Sequence, residues 1–198
     1  MRIKNQNKSI IQRISKFTGV CLIVIAIIVL VSWQVAIHLS KLNADFYVKS
    51  ICDTIDLPQG TVPEERKDNT MPILSVDGVD FVGLLEIPKY DSILPVCDDW
   101  GEVTKYPCKF SGSVYNRTMQ IGSTSQKGQY DFYKELCVGD TVIFTDMESK
   151  RYTYNISGLR YDNDVDQTSL TKENAALTLF IKNIYDFQYL IVSCEISK

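Results

Sequence analysis

Hydrophobic and polar positions follow three different rules along this chain. Residues 17–39 contain no Lys, Arg, Asp or Glu, and 21–31 are almost wholly aliphatic. As a helix the stretch is long enough to cross ~30 Å of hydrocarbon, so it predicts a transmembrane helix over 17–40 behind a short polar N-terminus, 1–16. Residues 41–79 lose that character. Phe46, Val48, Ile51 and Ile55 allow the helix to run on briefly. Leu57-Pro58-Gln59-Gly60 and Val62-Pro63-Glu64-Glu65-Arg66-Lys67-Asp68-Asn69 then break it, which predicts a stalk or linker. From residue 80 the period becomes two, in short runs such as 82–87, 119–124, 141–146, 177–181 and 189–196. Across 151–159, Tyr152, Tyr154 and Ile156 fall on one face and Arg151, Thr153 and Asn155 on the other, joined to 141–146 by the loop Met147-Glu148-Ser149-Lys150. The expectation for 80–198 is a mainly β domain, a closed or nearly closed barrel that leaves no strand edge bare. The polar stretch 162–174 reads as a long connection between two of its strands.

Charge sharpens the first boundary. Residues 1–41 hold six basic groups and no acidic one, whereas the rest of the chain holds the other 15 Lys and Arg and all 24 Asp and Glu, a net of −9. The positive-inside bias places the N-terminus in the cytoplasm and the C-terminal domain outside, a single-pass protein of the cell membrane. A cleaved signal peptide is the competing reading. It fits less well, because the apolar run exceeds an h-region of ~7–15 residues and no small-residue cleavage site follows closely. The acidic exterior argues against nucleic acid as a partner.

The six cysteines, at 21, 52, 97, 108, 137 and 194, form no C-x-x-C pair. The one histidine, His38, lies in the apolar span, so no Cys/His metal site is expected and no cofactor is indicated. Disulfides are chemically allowed outside the cytoplasm, but spacing does not give their connectivity. The acidic run Asp162-Asn163-Asp164-Val165-Asp166 lacks the Gly and terminal Glu of a calcium loop and reads as a solvated loop.

Five segments in order carry a resemblance. Val82-Gly83-Leu84-Leu85-Glu86-Ile87-Pro88 is followed by Leu94-Pro95-Val96. Next come Pro107-Cys108-Lys109-Phe110-Ser111-Gly112-Ser113 and Leu136-Cys137-Val138-Gly139-Asp140, and last Leu177-Thr178-Leu179-Phe180-Ile181-Lys182. Together, behind an N-terminal anchor, they resemble the sortase family from about residue 80 to the end. The resemblance implies a sortase-like closed barrel and a setting in the envelope of a Gram-positive bacterium. It also implies a cysteine transpeptidase chemistry that uses a Cys nucleophile, a His and an Arg.

None of those three side chains stands where the resemblance puts it. The cysteine position at the end of the Leu-Thr-Leu-x-x run is Lys182. The histidine position falls on Thr124, or on Ser123 if one gap is allowed, in Met119-Gln120-Ile121-Gly122-Ser123-Thr124. The arginine position opens the last strand and is Tyr189, or Gln188 if displaced by one. The expectation is a catalytically inactive, membrane-anchored sortase-like protein. Its vestigial cleft, lined by Thr124, Lys182 and Tyr189, would hold a sorting-signal peptide, a pilin segment or an active sortase during surface-protein or pilus assembly. Two enzymatic alternatives stay open. One is altered chemistry, with a neutral Lys182 activating the hydroxyl of Ser123 or Thr124 as a Ser/Thr–Lys dyad peptidase. The other is an ordinary sortase transpeptidase, using one of the remaining thiols.

Overall fold

The computed structural model describes residues 2–55, 70–126, 128–165 and 175–197. The chain forms two compact units, Met1–Leu39 and Ser40–Lys198. Helix α1 (Arg2–Thr54) starts in the first. Within it Thr18–Ala36 is long and apolar enough to cross a membrane. Its large side chains, Leu22, Ile25, Leu30 and Trp33 among them, stand exposed.

The second unit is mainly β. Its strands are β1 (Leu74–Val76), β2 (Val79–Ile87), β3 (Ser92–Cys97), β4 (Cys108–Ser111), β5 (Met119–Thr124), β6 (Thr141–Asp146), β7 (Arg151–Asp162), β8 (Leu177–Lys182) and β9 (Tyr189–Ile196). They pair in the order β1-β2-β3-β4-β5-β8-β9-β7-β6, and β6 returns to β2, so β2 to β9 form a closed eight-stranded barrel. The β2–β6 closure needs close backbone approach. A Cβ on Gly83 would lie 2.3 Å from the Phe144 ring and 2.5 Å from the Thr145 carbonyl oxygen, which is why glycine stands there. Two seams are parallel, β3–β4 and β5–β8.

Alternation decides which side chains fill the barrel. Leu177, Leu179 and Ile181 of β8 point inward with Leu190, Val192 and Cys194 of β9. On β7 the expected face holds: Tyr152, Tyr154 and Ile156 are buried and Arg151, Thr153 and Asn155 are not. Asp146 is fully buried where the β6–β7 hairpin turns. Its carboxylate accepts from the hydroxyls of Tyr115 and Tyr152, both at 3.0 Å, and from the backbone N–H groups of Glu148 and Lys150, both at 2.9 Å. Four donors are what a buried carboxylate needs to offset its lost hydration.

Both ends of the region expected as a stalk carry regular structure. α1 continues to Thr54, and Ile51 and Ile55 bury against Phe81, Leu84 and Tyr106 on the outside of the barrel. Each such burial stabilises by about 1.5–3 kcal/mol, enough to hold a helical segment that propensity alone would leave marginal. At the other end β1 and β2 are joined by Asp77 and Gly78, both at positive φ (50° and 79°). That two-residue geometry matches the twist of a hairpin. The Pro/Gly-punctuated part, 56–69, lies outside the described residues, as does 166–174 of the long connection.

Candidate functional site

Thr124 ends β5, Lys182 ends β8 and Tyr189 opens β9. Thr124 stands opposite Lys182 in the parallel β5–β8 ladder, and Lys182 opposite Tyr189 in the antiparallel β8–β9 ladder. Residues directly opposite share a sheet face, so Thr124 and the two ends of the β8–β9 connection form one row on the outer face of the barrel. Ser123 does not join them. It pairs with Ile181, in the inward-facing layer, and is buried. Of the two positions left open for the histidine equivalent, Thr124 is the one beside Lys182.

Each member of the row has defined surroundings. The Lys182 Nζ lies 5.7 Å from the centre of the Phe187 ring and 5.6 Å from that of Tyr189. Both rings lie within cation–π reach of the side-chain nitrogen. Phe187 reaches this place from a turn closed by Asn183 N–H to Gln188 O (2.7 Å) and Phe187 N–H to Asn183 O (3.0 Å). Its φ is 63°, the left-handed region, rare for a bulky side chain. The strain, about 1 kcal/mol or more, is concentrated beside the lysine. Asn183 is itself buried, and its Oδ1 accepts from Tyr185 N–H at 3.1 Å. The Ser125 hydroxyl accepts from Ile184 N–H at 3.2 Å, and Ser125 N–H donates to Lys182 O at 2.9 Å. The end of β5 is thus tied to the turn after β8.

Thr124 is clamped by a residue the sequence reading passed over. Its N–H and its hydroxyl both donate to Gln129 Oε1, at 3.1 and 3.2 Å, and Gln129 Nε2 donates to Thr104 O at 3.1 Å. Gln129 is buried, and these bonds satisfy its amide. The threonine hydroxyl proton is directed at Gln129 rather than at Lys182.

Two positions back along β5, on the same outer face, Gly122 lies under aromatic rings. A Cβ there would meet Trp100 at 2.5 Å and Phe180 at 2.6 Å. Trp100, Phe110 and Phe180 form a cluster with ring centres 5.0–5.8 Å apart. Phe180 is buried, while Trp100 is 40% and Phe110 38% exposed. The surface beside the row is therefore an apolar shelf with a lysine at one end. One cleft of about 340 Å³ includes Gln129, Tyr90 and Phe132 and another of about 250 Å³ includes Asn183, Gln188 and Tyr161; neither is lined by a residue of the shelf or of the row.

The thiol of β9 faces away from this row. Cys194 lies inside the barrel, where burial pushes its pKa up to about 12, so thiolate is scarce near neutral pH. Among the described residues no group of His, Cys, Asp and Glu could hold a metal ion. No periodic signal marks Gln129, which lies on an irregular segment, or Trp100, which opens a single 3₁₀ turn. The aromatic-over-glycine contact was foreshadowed only by Gly122 itself.

No family model matches the chain, and neither does any curated protein. Solved structures do. Sortase A from Corynebacterium diphtheriae superposes with a TM-score of 0.50 at 15% identity, covering 60% of this chain and 61% of that one. Sortase C1 from Streptococcus agalactiae gives 0.50 at 16% identity, covering 63% and 71%. Sortase C from Clostridium perfringens, solved with the C-terminal cell wall sorting motif, gives 0.50 at 15%, covering 60% and 71%. The chain spans less than two thirds of the length of the first of these. Its fold is sortase-like.

Proposed function

We propose, with the sortase-like fold as premise, that this chain is a membrane-anchored, non-catalytic relative of the sortases that holds a peptide at the outer face of β5, β8 and β9. Its N-terminus lies in the cytoplasm, Thr18–Ala36 crosses the membrane, and the barrel faces outward in the envelope of a Gram-positive bacterium. The observation that carries the reading is the row Thr124–Lys182–Tyr189. A thioester mechanism needs a thiolate and an imidazole side by side. This row offers a hydroxyl, an ammonium and a phenol, and no histidine follows residue 38.

What remains suits binding. The Trp100–Phe110–Phe180 shelf can take apolar side chains, and Lys182 can donate to a peptide carbonyl or a carboxylate. A sorting-signal peptide, a pilin segment or the tail of an active sortase has that chemistry. Its role is then accessory, presenting or sequestering such a segment during surface-protein or pilus assembly. The test is restoration. Thr124→His, Lys182→Cys and Tyr189→Arg are combined, and turnover of sorting-signal peptides is measured beside the unmodified protein. Binding without turnover by the unmodified protein, and turnover by the triple variant, is the expected result. Turnover by the unmodified protein ends the proposal.

One observation favours a second reading, a Thr124–Lys182 dyad peptidase: the two residues are ladder partners. The ring faces around the ammonium and the Thr124–Gln129 hydrogen bond speak against it. Peptide hydrolysis that is lost in Lys182→Ala would restore it.

A further inference from the structure

The β3–β4 seam of the barrel rests on one ladder pair, Cys97 opposite Cys108. Both thiols are free, fully buried, and in the cluster packed under α1 on the outside of the barrel. Direct partners on neighbouring strands have Cα atoms about 5 Å apart, inside the range a disulfide spans. The side chains also face each other. A hydrogen bond between the two thiols holds the Cys97 pKa down and, with burial, pushes that of Cys108 up. None of the other cysteines is a ladder partner of either. Cys194 lies in the barrel interior, on the opposite side of the sheet from Cys108, Cys21 and Cys137 are exposed, and Cys52 is half-buried on α1, packed against the same cluster.

The pair also stands at the base of segment 98–107, which leaves β3 at Cys97 and enters β4 at Cys108. This segment lays Trp100 over Gly122 and offers Thr104 O to Gln129, so it forms one wall of the candidate site. Its ends meet through Cys97 N–H to Pro107 O at 2.8 Å.

We propose that Cys97 and Cys108 form a disulfide that staples β3 to β4 and closes the base of this segment. The inference rests on the exterior placement of the domain proposed above. The bond forms by thiol–disulfide exchange with an oxidised dithiol carrier before the pair is buried. The thiolate of one cysteine attacks a carrier sulfur and displaces the other carrier sulfur as thiolate. The second cysteine, as thiolate, then attacks the mixed disulfide at the chain's own sulfur. The carrier leaves as a dithiol with the two protons and two electrons that the cysteines gave up. The cross-link restricts the unfolded chain and replaces the ladder that this seam lacks.

The experiment uses the full chain in membranes of expressing cells. Free thiols are alkylated under denaturing conditions without reductant, the protein is reduced, and newly freed thiols receive a second, isotopically distinct alkylating group before mass spectrometry. The expected result is the second label on Cys97 and Cys108 and the first on Cys52 and Cys194. The first label on both Cys97 and Cys108 overturns the inference. A membrane-impermeant maleimide applied to intact cells reads placement separately through exposed Cys137. Cys137 labelled with Cys97 and Cys108 free overturns the disulfide alone. Cys137 unlabelled with both free overturns the exterior placement and the disulfide together. Reductant should lower the thermal midpoint of the wild type by about 5–10 °C and leave a Cys97→Ala/Cys108→Ala variant unmoved. An equal midpoint for the wild type with and without reductant also counts against the bond.

Discussion

The barrel has two parallel seams, and they are built differently. β5 and β8 run together for six ladder pairs, from Met119 opposite Leu177 to Thr124 opposite Lys182. β3 and β4 share one. The long seam is clamped from within by Ile121, Leu179 and Ile181, so the row at its end inherits a fixed spacing. The short seam suspends segment 98–107, whose Trp100 is partly exposed and whose grip on β5 is a ring contact and one amide bridge. The long seam is a floor set by backbone pairing, and segment 98–107 is a wall held to it by side chains; under the proposed function the floor would set a peptide's register and the wall would admit it.

Substitutions can break that contrast. The largest effect is expected from Leu179→Ala, a fully buried side chain at the centre of the long seam. It should cost about 2–5 kcal/mol in denaturant unfolding, and a loss below 1 kcal/mol would show the floor to be soft. Gly122→Ala comes next. Its Cβ meets two rings, and Phe180 is too buried to yield, so Trp100 must swing outward. A loss of about 1–3 kcal/mol and a red shift in tryptophan emission are expected. Unchanged emission would mean that the wall is as fixed as the floor. Gln129→Leu removes the acceptor for Thr124 N–H and the donor to Thr104 O. It should cost about 1–3 kcal/mol through the buried donor left unpaired, with faster amide exchange across 98–107 than across β8. The smallest effect is expected from Lys182→Met, which keeps the stem and removes the charge from between two rings. A stability change within about 1 kcal/mol, together with lost binding of a carboxylate-bearing peptide, would assign Lys182 to recognition rather than to the fold.

Much of the barrel was legible without coordinates. Alternation on β7 predicted its buried tyrosines, and the inward residues of β8 and β9 follow the same rule, because a pleated strand leaves a side chain two choices. The ordered segments that resemble the sortases anticipated the closed barrel. Less legible were the ends of the region read as a stalk. Ile51 and Ile55 were visible as an apolar pair, but their burial depends on the outer face of β2 and on Tyr106. Asp77-Gly78 is a hairpin signal that the stalk reading absorbed. Of the site, the strand-end positions could be named and Gln129 could not, since a lone glutamine on an irregular segment has no pattern to betray it.

Sequence alone determined the local periods, the one stretch apolar enough for a membrane and the absence of any imidazole beyond residue 38, because each is a property of consecutive residues or of composition. Only the tertiary structure decided that Thr124 rather than Ser123 stands beside Lys182, that two rings hold the ammonium, and that Cys97 meets Cys108. The reason is register. A slip of one residue between strands distant in the chain turns every side chain to the other face. Nothing local to either strand specifies that register, which is set by how the whole barrel closes around its core.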